Sequence, residues 1–218
     1  MKDIIILNGP PGCGKDTLCA LLENHFKVGT FEVMQVKQAL FDAVYEHYNL
    51  SYEQVKEFHE RYDNRATKEV PWALTNLSVR DMMIHVSEDV YKVKYGQDYF
   101  GIKAAEQLDN STAHVVAFSD GGFPAEIKEL CNKGEVFVFR LRGRGSFDGD
   151  SRRFVDCTNL PVVIATDILL VDGRPELALE QILNIYQQVR NKEHDITRVE
   201  DEWDSNASSV LDGDRPYL

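Results

Sequence analysis

The sequence predicts the α/β class: a three-layer fold with a parallel sheet of about five strands and helices on both faces. Three observations carry this. Short apolar runs with the length of buried strands recur at 3–7, 31–36, 113–118, 135–141 and 168–171. Segments with helical spacing of apolar residues alternate with them, as parallel strands require. A glycine-rich loop joins the first run to the first helical segment. At 218 residues, with 43% hydrophobic content, the chain has the size and the core material of one ordinary domain.

The first strand, residues 3–7, centres on Ile4-Ile5-Ile6-Leu7 and runs into Gly9-Pro10-Pro11-Gly12-Cys13-Gly14-Lys15-Asp16-Thr17. That pattern, G-x-x-x-x-G-K-D-T between strand and helix, is a phosphate-binding loop. Its successive backbone N–H groups point into one concavity, and the helix N-terminus adds partial positive charge. Lys15 is expected to reach the β- and γ-phosphates. Asp16 stands where Ser or Thr usually ligates magnesium, with the hydroxyl of Thr17 one residue later. A carboxylate is a competent hard ligand for Mg²⁺, so the direct ligand is Asp16, Thr17, or either through water.

Leu18, Leu21, Leu22 and Phe26 give the first helix its apolar stripe. After a short strand at 31–36, Val36, Ala39, Leu40, Ala43, Val44 and Tyr48 mark the second helix, and Ser51 with Gln54 forms a capping box for a third through about Arg61. Residues 37–77 lack a strand pattern and read as a helical substrate-covering region. Ser78 caps the next helix, whose predicted stripe is Val79, Met82, Met83, Val86, Val90 and Val93. Gly96-Gln97-Asp98 breaks it and caps a helix from Tyr99 to about Leu108. The strand at 113–118 ends in Ser119-Asp120, and Pro124 suits a first helical position. A strand at 135–141 leads into a loop at 142–160 rich in Gly, Asp, Ser and Arg. The last strand is 168–171, and Pro175 opens a helix through about Val189. The domain thus covers 1–190, followed by an acidic tail at 191–218.

Net charge is −12, much of it in the tail around Glu200-Asp201-Glu202. A protein that grips a nucleic-acid backbone usually shows a basic stripe, so the balance favours a small substrate in a local basic pocket. No stretch approaches the ~20 apolar residues of a membrane span. Cys13, Cys19, Cys131 and Cys157 show neither a C-x-x-C pair nor metal spacing, which fits a reduced, cytoplasmic setting. Pattern alone does not separate a homodimer face from core.

Three further features gather chemistry around the loop. Asp120, at the carboxyl end of its strand, suits holding Mg²⁺ through water, or else caps the following helix. Arg140, Arg142, Arg144, Arg152 and Arg153 crowd the loop near 142–153, where guanidinium groups fold over a transferring phosphoryl group or pair with Asp148, Asp150 and Asp156. Arg80, in the first turn of its helix, opposes the helix dipole, which points to a ligand role. Lys37 starts a helix and joins it as an acceptor-side cation, and Tyr99 and Phe100 either stack on a base or pack in the core.

These residues resemble the phage-type deoxynucleoside monophosphate kinases, within the nucleoside monophosphate kinase group. The resemblance rests on G-K-D-T, Val36-Lys37-Gln38-Ala39-Leu40, Ser78-Val79-Arg80-Asp81-Met82-Met83, Gly96-Gln97-Asp98-Tyr99-Phe100, the acid after the third strand, and Leu160-Pro161 through Val171-Asp172-Gly173. The matches are collinear over roughly 3–190. The resemblance implies transfer of the ATP γ-phosphate, with Mg²⁺, onto a (deoxy)nucleoside 5′-monophosphate under a closing lid. Lys37 and Arg80 would then serve the acceptor, and the 142–153 arginines the lid. One departure is Gly122: the family often has an arginine there, two residues after the acid. The surrounding Asp120-Gly121-Gly122-Phe123-Pro124 is also similar to the D-G-F-P-R segment of adenylate kinases. Either Arg80 and the lid supply the missing charge, or acceptor specificity differs. The competing readings are a kinase for a hydroxyl on a modified base in DNA, with Asp120 or Glu126 as base, and a nucleotide-binding regulator without acceptor turnover.

Overall fold

The computed structural model describes residues 1–148 and 152–191. Residues 149–151 of the expected lid and 192–218 of the expected tail lie outside this range.

Five strands form one parallel sheet: β1 (Lys2–Asn8), β2 (Phe31–Met34), β3 (Val115–Phe118), β4 (Gly134–Arg142) and β5 (Ile164–Leu169). Their order is β2-β3-β1-β4-β5. In register, Ile4 opposes Val116 on one side and Val136 on the other. β1 is therefore the central strand, and the chain leaves it between β3 and β4, where the strand order reverses. Ligands bind at such a point in open α/β sheets.

Because successive strand residues face opposite ways, Ile4-Ile5-Ile6-Leu7 serves two cores. Ile5 and Leu7 join Leu18, Cys19 and Leu22 of α1 (Lys15–His25), with Ala178 and Ile182 of the helix at 175–191, here α8. Ile4 and Ile6 face α2 (Lys37–Tyr48), α4 (Val79–Ile84), α6 (Tyr99–Asn110) and α7 (Pro124–Cys131), packing with Val44, Met82, Ala104 and Ile127. All four β1 side chains are completely buried, each contributing about 2 kcal/mol of transfer free energy. The fold is the predicted three-layer P-loop architecture.

Several boundaries differ from expectation. β2 stops at Met34, and Val36 instead takes the N-cap position of α2. β5 begins at Ile164, four residues before the predicted start, because Asp167 tolerates the sheet edge by pairing with Arg140 and Arg142 of β4. A charged residue on an edge strand breaks the apolar pattern that marks a buried one. The expected continuous helix at 79–95 is three pieces: α4, a π-helical stretch His85–Tyr91, and α5 (Lys92–Tyr95). The wider π turn rotates the buried face, so Ser87 and Tyr91 are buried while Val93 is 76% exposed. The Ser51–Gln54 capping box starts α3 (Tyr52–Asp63) as predicted. Asp98 occupies the N-cap of α6 but makes no side-chain capping bond there.

Candidate active site

The loop after β1 wraps the start of α1. Gly12 (φ +71°) and Gly14 (φ +110°) hold left-handed conformations that a side chain would strain, which explains glycine at both. Pro11 and Gly12 are exposed, whereas Cys13 is buried beneath the loop with its Sγ against Gly9. Burial pushes the neighbouring Cys19 thiol up to about 12, so that thiol is unreactive. Lys15 Nζ folds back to donate to the carbonyls of Gly9 and Pro10, both at 2.7 Å. Its ammonium sits below the usual lysine range, first through burial, opposed by Cys13 and deepened by Arg152. Asp16 and Thr17 are exposed on the first turn of α1, open to a ligand.

Beside the loop lies a cleft with about 190 Å³ of space. Lys37, Lys68, Arg80, Lys92 and Arg152 line it against Glu88, Asp120 and Glu126, with Tyr62, Phe100 and Phe123 among its aromatic walls. Five cations thus face three acids, an excess of positive charge, although Arg80 also pairs with Glu69 at 3.7 Å. Glu88 is paired with Lys92 at 2.6 Å. Asp120 accepts from the backbone N–H groups of Val36 (2.8 Å) and Lys37 (2.9 Å), so it caps α2 across the sheet edge rather than the helix that follows it. Burial raises its carboxyl above the usual range, offset by Lys37 and these two bonds. Glu126 accepts from Gly122 and Phe123 N–H, both at 3.2 Å, and burial still pushes it up to about 7.

Of the expected acceptor-side residues, Lys37, Arg80 and Phe100 meet in this cleft. Tyr99 does not: its ring stacks on Tyr95, with centroids 4.9 Å apart, in an aromatic group with Tyr91. The arginines expected in a lid separate as well. Arg142 donates to Asp167 (3.0 Å) and lies 3.6 Å over the Phe154 ring, bound to the sheet edge. Arg144 pairs with Asp172 at 2.7 Å, with Nη1 3.8 Å from where a Cβ on Gly14 would stand. Arg153 is exposed and outside the cleft lining. Arg152 alone of the four enters the cleft, where its Cδ is 3.2 Å from the Cβ position of Gly122. The stem of Arg152 thus fills the space that the absent side chain at 122 leaves open.

The 142–160 segment is anchored rather than loose at its described ends. Buried Asn8, at the end of β1, accepts from Val155 N–H (3.0 Å) and donates to the Gly121 carbonyl (3.3 Å). One side chain thus ties the end of β1, the turn after β3 and the segment returning through Val155. Gly145 also packs closely on Pro10 and Pro11.

Among the described residues no group of three or more His, Cys, Asp or Glu forms a metal cage. Mg²⁺ needs none, since it takes one or two carboxylates and completes its shell with phosphates and water. Exposed Asp16 and Thr17, and the remaining lone pairs of Asp120, fit that demand.

Sequence reasoning missed Lys68, Lys92 and Arg65. Arg65 Nη2 crowds the point where a Cβ on Gly12 would stand, beside the loop. Lys68 and Arg65 follow α3 in a polar stretch with no periodicity, so no signal marked them.

No protein-family model matches this sequence, and neither does any curated protein. Among solved structures, the chain is similar to the shikimate kinase of Aquifex aeolicus (14% identity, TM-score 0.35, covering 84% of this chain and 96% of that one). It is likewise similar to the shikimate kinase of Bacteroides thetaiotaomicron (12%, 0.38, 84% and 98%). No helix among the described residues is long and apolar enough to cross a membrane.

Proposed function

We propose that this chain is a P-loop kinase that transfers the γ-phosphoryl group of Mg-ATP to a (deoxy)nucleoside 5′-monophosphate. The observation that carries this reading is the cation-rich cleft beside the phosphate loop, with Arg152 electrostatically coupled to both Lys15 and Lys68. In a chain of net charge −12, such a concentration of positive charge suits a dianionic acceptor. The phosphate loop would cradle the donor, and Lys37, Lys68 and Arg80 the acceptor phosphate. The aromatic wall, including Phe100, offers a face for a base.

An oxygen of the acceptor phosphate attacks the γ-phosphorus as the bond to the β–γ bridging oxygen breaks, releasing ADP. The acceptor is already ionised near neutral pH, so no base is needed, and the chain's task is alignment and charge neutralisation. Lys15 leaves its own loop carbonyls for phosphate oxygens, and Arg152 bridges the two sites. Mg²⁺, held by Asp16 or Thr17 and by Asp120 through water, would neutralise charge on the β- and γ-phosphates.

A second reading draws on Glu126. A carboxyl pushed up to about 7 inside the cleft is suited to take a proton from a hydroxyl acceptor. The two readings separate by ADP release from Mg-ATP with each common NMP and dNMP, with hydroxyl-bearing small molecules and modified-base DNA in parallel. Stimulation by one or a few monophosphates supports the first reading. Stimulation by hydroxyl acceptors alone, lost in Glu126→Gln, replaces it with the second. ATP binding with no transfer to any acceptor would indicate a regulator. Lys15→Ala is expected to lower turnover at least about a hundredfold with an unchanged circular dichroism spectrum. Normal turnover in that variant overturns the mechanism.

A further inference from the structure

The turn after α3 sends two cations to two different sites. Arg65 lies on the phosphate loop, its Cζ 3.5 Å from the Cβ position of Gly12. Three residues on, Lys68 lines the cleft with its Nζ 3.6 Å over the Tyr62 ring. Among the described residues no carboxylate forms an ion pair with either side chain. Glu69, the next residue, acts on Lys68 from beyond ion-pair distance.

The backbone between them is held. Asn64 Oδ1 accepts from Ala66 N–H (2.9 Å), and its carbonyl accepts from Thr67 (3.1 Å) and Lys68 (2.9 Å). Thr67 Oγ1 donates to the Arg61 carbonyl (3.2 Å). Arg61 in turn pairs with Glu57 and stacks over buried Trp72 at 5.4 Å. The turn is therefore tied to the insert's own core, and its two cations keep a set spacing.

We propose that residues 64–68 form a two-sided phosphate clasp, in which Arg65 binds a phosphate of the nucleotide on the loop and Lys68 binds the phosphate of the acceptor. The clasp rests on the kinase reading above and adds residues outside the phosphate loop and the lid. Its chemistry follows the two head groups. A guanidinium fork over a loop of N–H donors meets phosphate oxygens from the side the loop leaves open. The Lys68 ammonium, by contrast, is held down to about 8, first by burial and then by the repulsion of Arg80, Lys37 and Arg152, with Glu69 opposing. A dianion entering the cleft relieves both that repulsion and the lost hydration.

Isothermal titration of the full chain, with variants Arg65→Ala and Lys68→Ala, tests the clasp without turnover. The first arm titrates the β,γ-imido analogue of ATP with Mg²⁺. Arg65→Ala is expected to weaken it about tenfold or more, the scale of a charged hydrogen bond, with Lys68→Ala within about twofold. The second arm titrates inorganic phosphate into the preformed analogue complex, which directs it to the cleft. Here Lys68→Ala is expected to lose about tenfold and Arg65→Ala to stay within about twofold. Lys68→Arg and Arg65→Lys, which keep the charge, recover part of each loss and stand in if an alanine variant does not fold. The crossed pattern supports the clasp. A variant that weakens neither arm, or both equally, overturns it. A crossed pattern in a protein that phosphorylates no monophosphate would instead sink the kinase reading and leave the clasp standing.

Discussion

Glu126 carries a pH signature that a single substitution exposes. Its carboxyl is raised from an ordinary value of 4.5 to about 7, burial outweighing two backbone hydrogen bonds. A raised folded-state value means the native protein holds a proton that the unfolded chain has lost. The associated stability is present below about pH 4.5 and is lost as pH rises through 7. Glu126→Gln, which keeps an acceptor for Gly122 and Phe123 N–H, should then be more stable than the parent at pH 8, by about 1–3 kcal/mol. The advantage should shrink toward pH 5. Urea midpoints at the two values check it, and an equal shift at both would mean that Glu126 does not titrate as its surroundings dictate. Residue chemistry was legible where local sequence carries it: Gly12, Gly14 and Lys15 are recognisable from spacing alone. The cleft positions of Lys68 and Arg152 were not, since nothing adjacent in sequence reveals which cavity a side chain enters.

At the scale of elements, α2 begins with Val36 at its N-cap, a residue that offers no capping oxygen. Asp120 supplies both acceptors from 84 and 83 residues away. Removing them in Asp120→Ala should cost about 1–2 kcal/mol and speed hydrogen exchange at the Val36 and Lys37 amides. Asp120→Asn should recover only part of that stability, because its single amide oxygen can accept from one of the two N–H groups while its Nδ2, a donor, would face the other. Equal losses in both variants would mean that the carboxylate acts on something other than α2. The same scale explains two misread elements. A π turn needs an extra residue per turn, so a stripe read at helical spacing drifts off the buried face by Val93. β5 was read four residues late because Asp167 and its pairs with Arg140 and Arg142 interrupt the apolar run.

For the whole molecule, Asn8 brings the ends of β1 and β3 and the segment at Val155 to one edge, so a ligand on the loop would touch segments distant in sequence. Mg-ATP at about a hundred times its Kd should stabilise the protein by about 2.7 kcal/mol. For a domain of this size that is a rise of about 5–10 °C in melting temperature. Lys15→Ala should lose most of the shift, and scanning fluorimetry with and without nucleotide measures it. An equal shift in both proteins would place nucleotide binding elsewhere. Charge acts on this scale too: at −12, the chain should not be retained by duplex DNA at physiological salt. Salt-sensitive retention would favour a polymeric acceptor.

The sequence by itself determined the fold class, the phosphate loop and most elements, because each depends on spacing along the chain. Strand runs, helical stripes, the Ser51 capping box and G-x-x-x-x-G-K all act through near neighbours. Only the tertiary structure decided that Arg142 binds the sheet edge, that Arg152 occupies the space beside Gly122, that Asp120 caps α2, and that Tyr99 leaves the cleft. Those outcomes depend on which long side chain reaches which carboxylate or cavity once the sheet has formed. That competition is settled by burial and charge between segments up to 84 residues apart, and no local pattern encodes it.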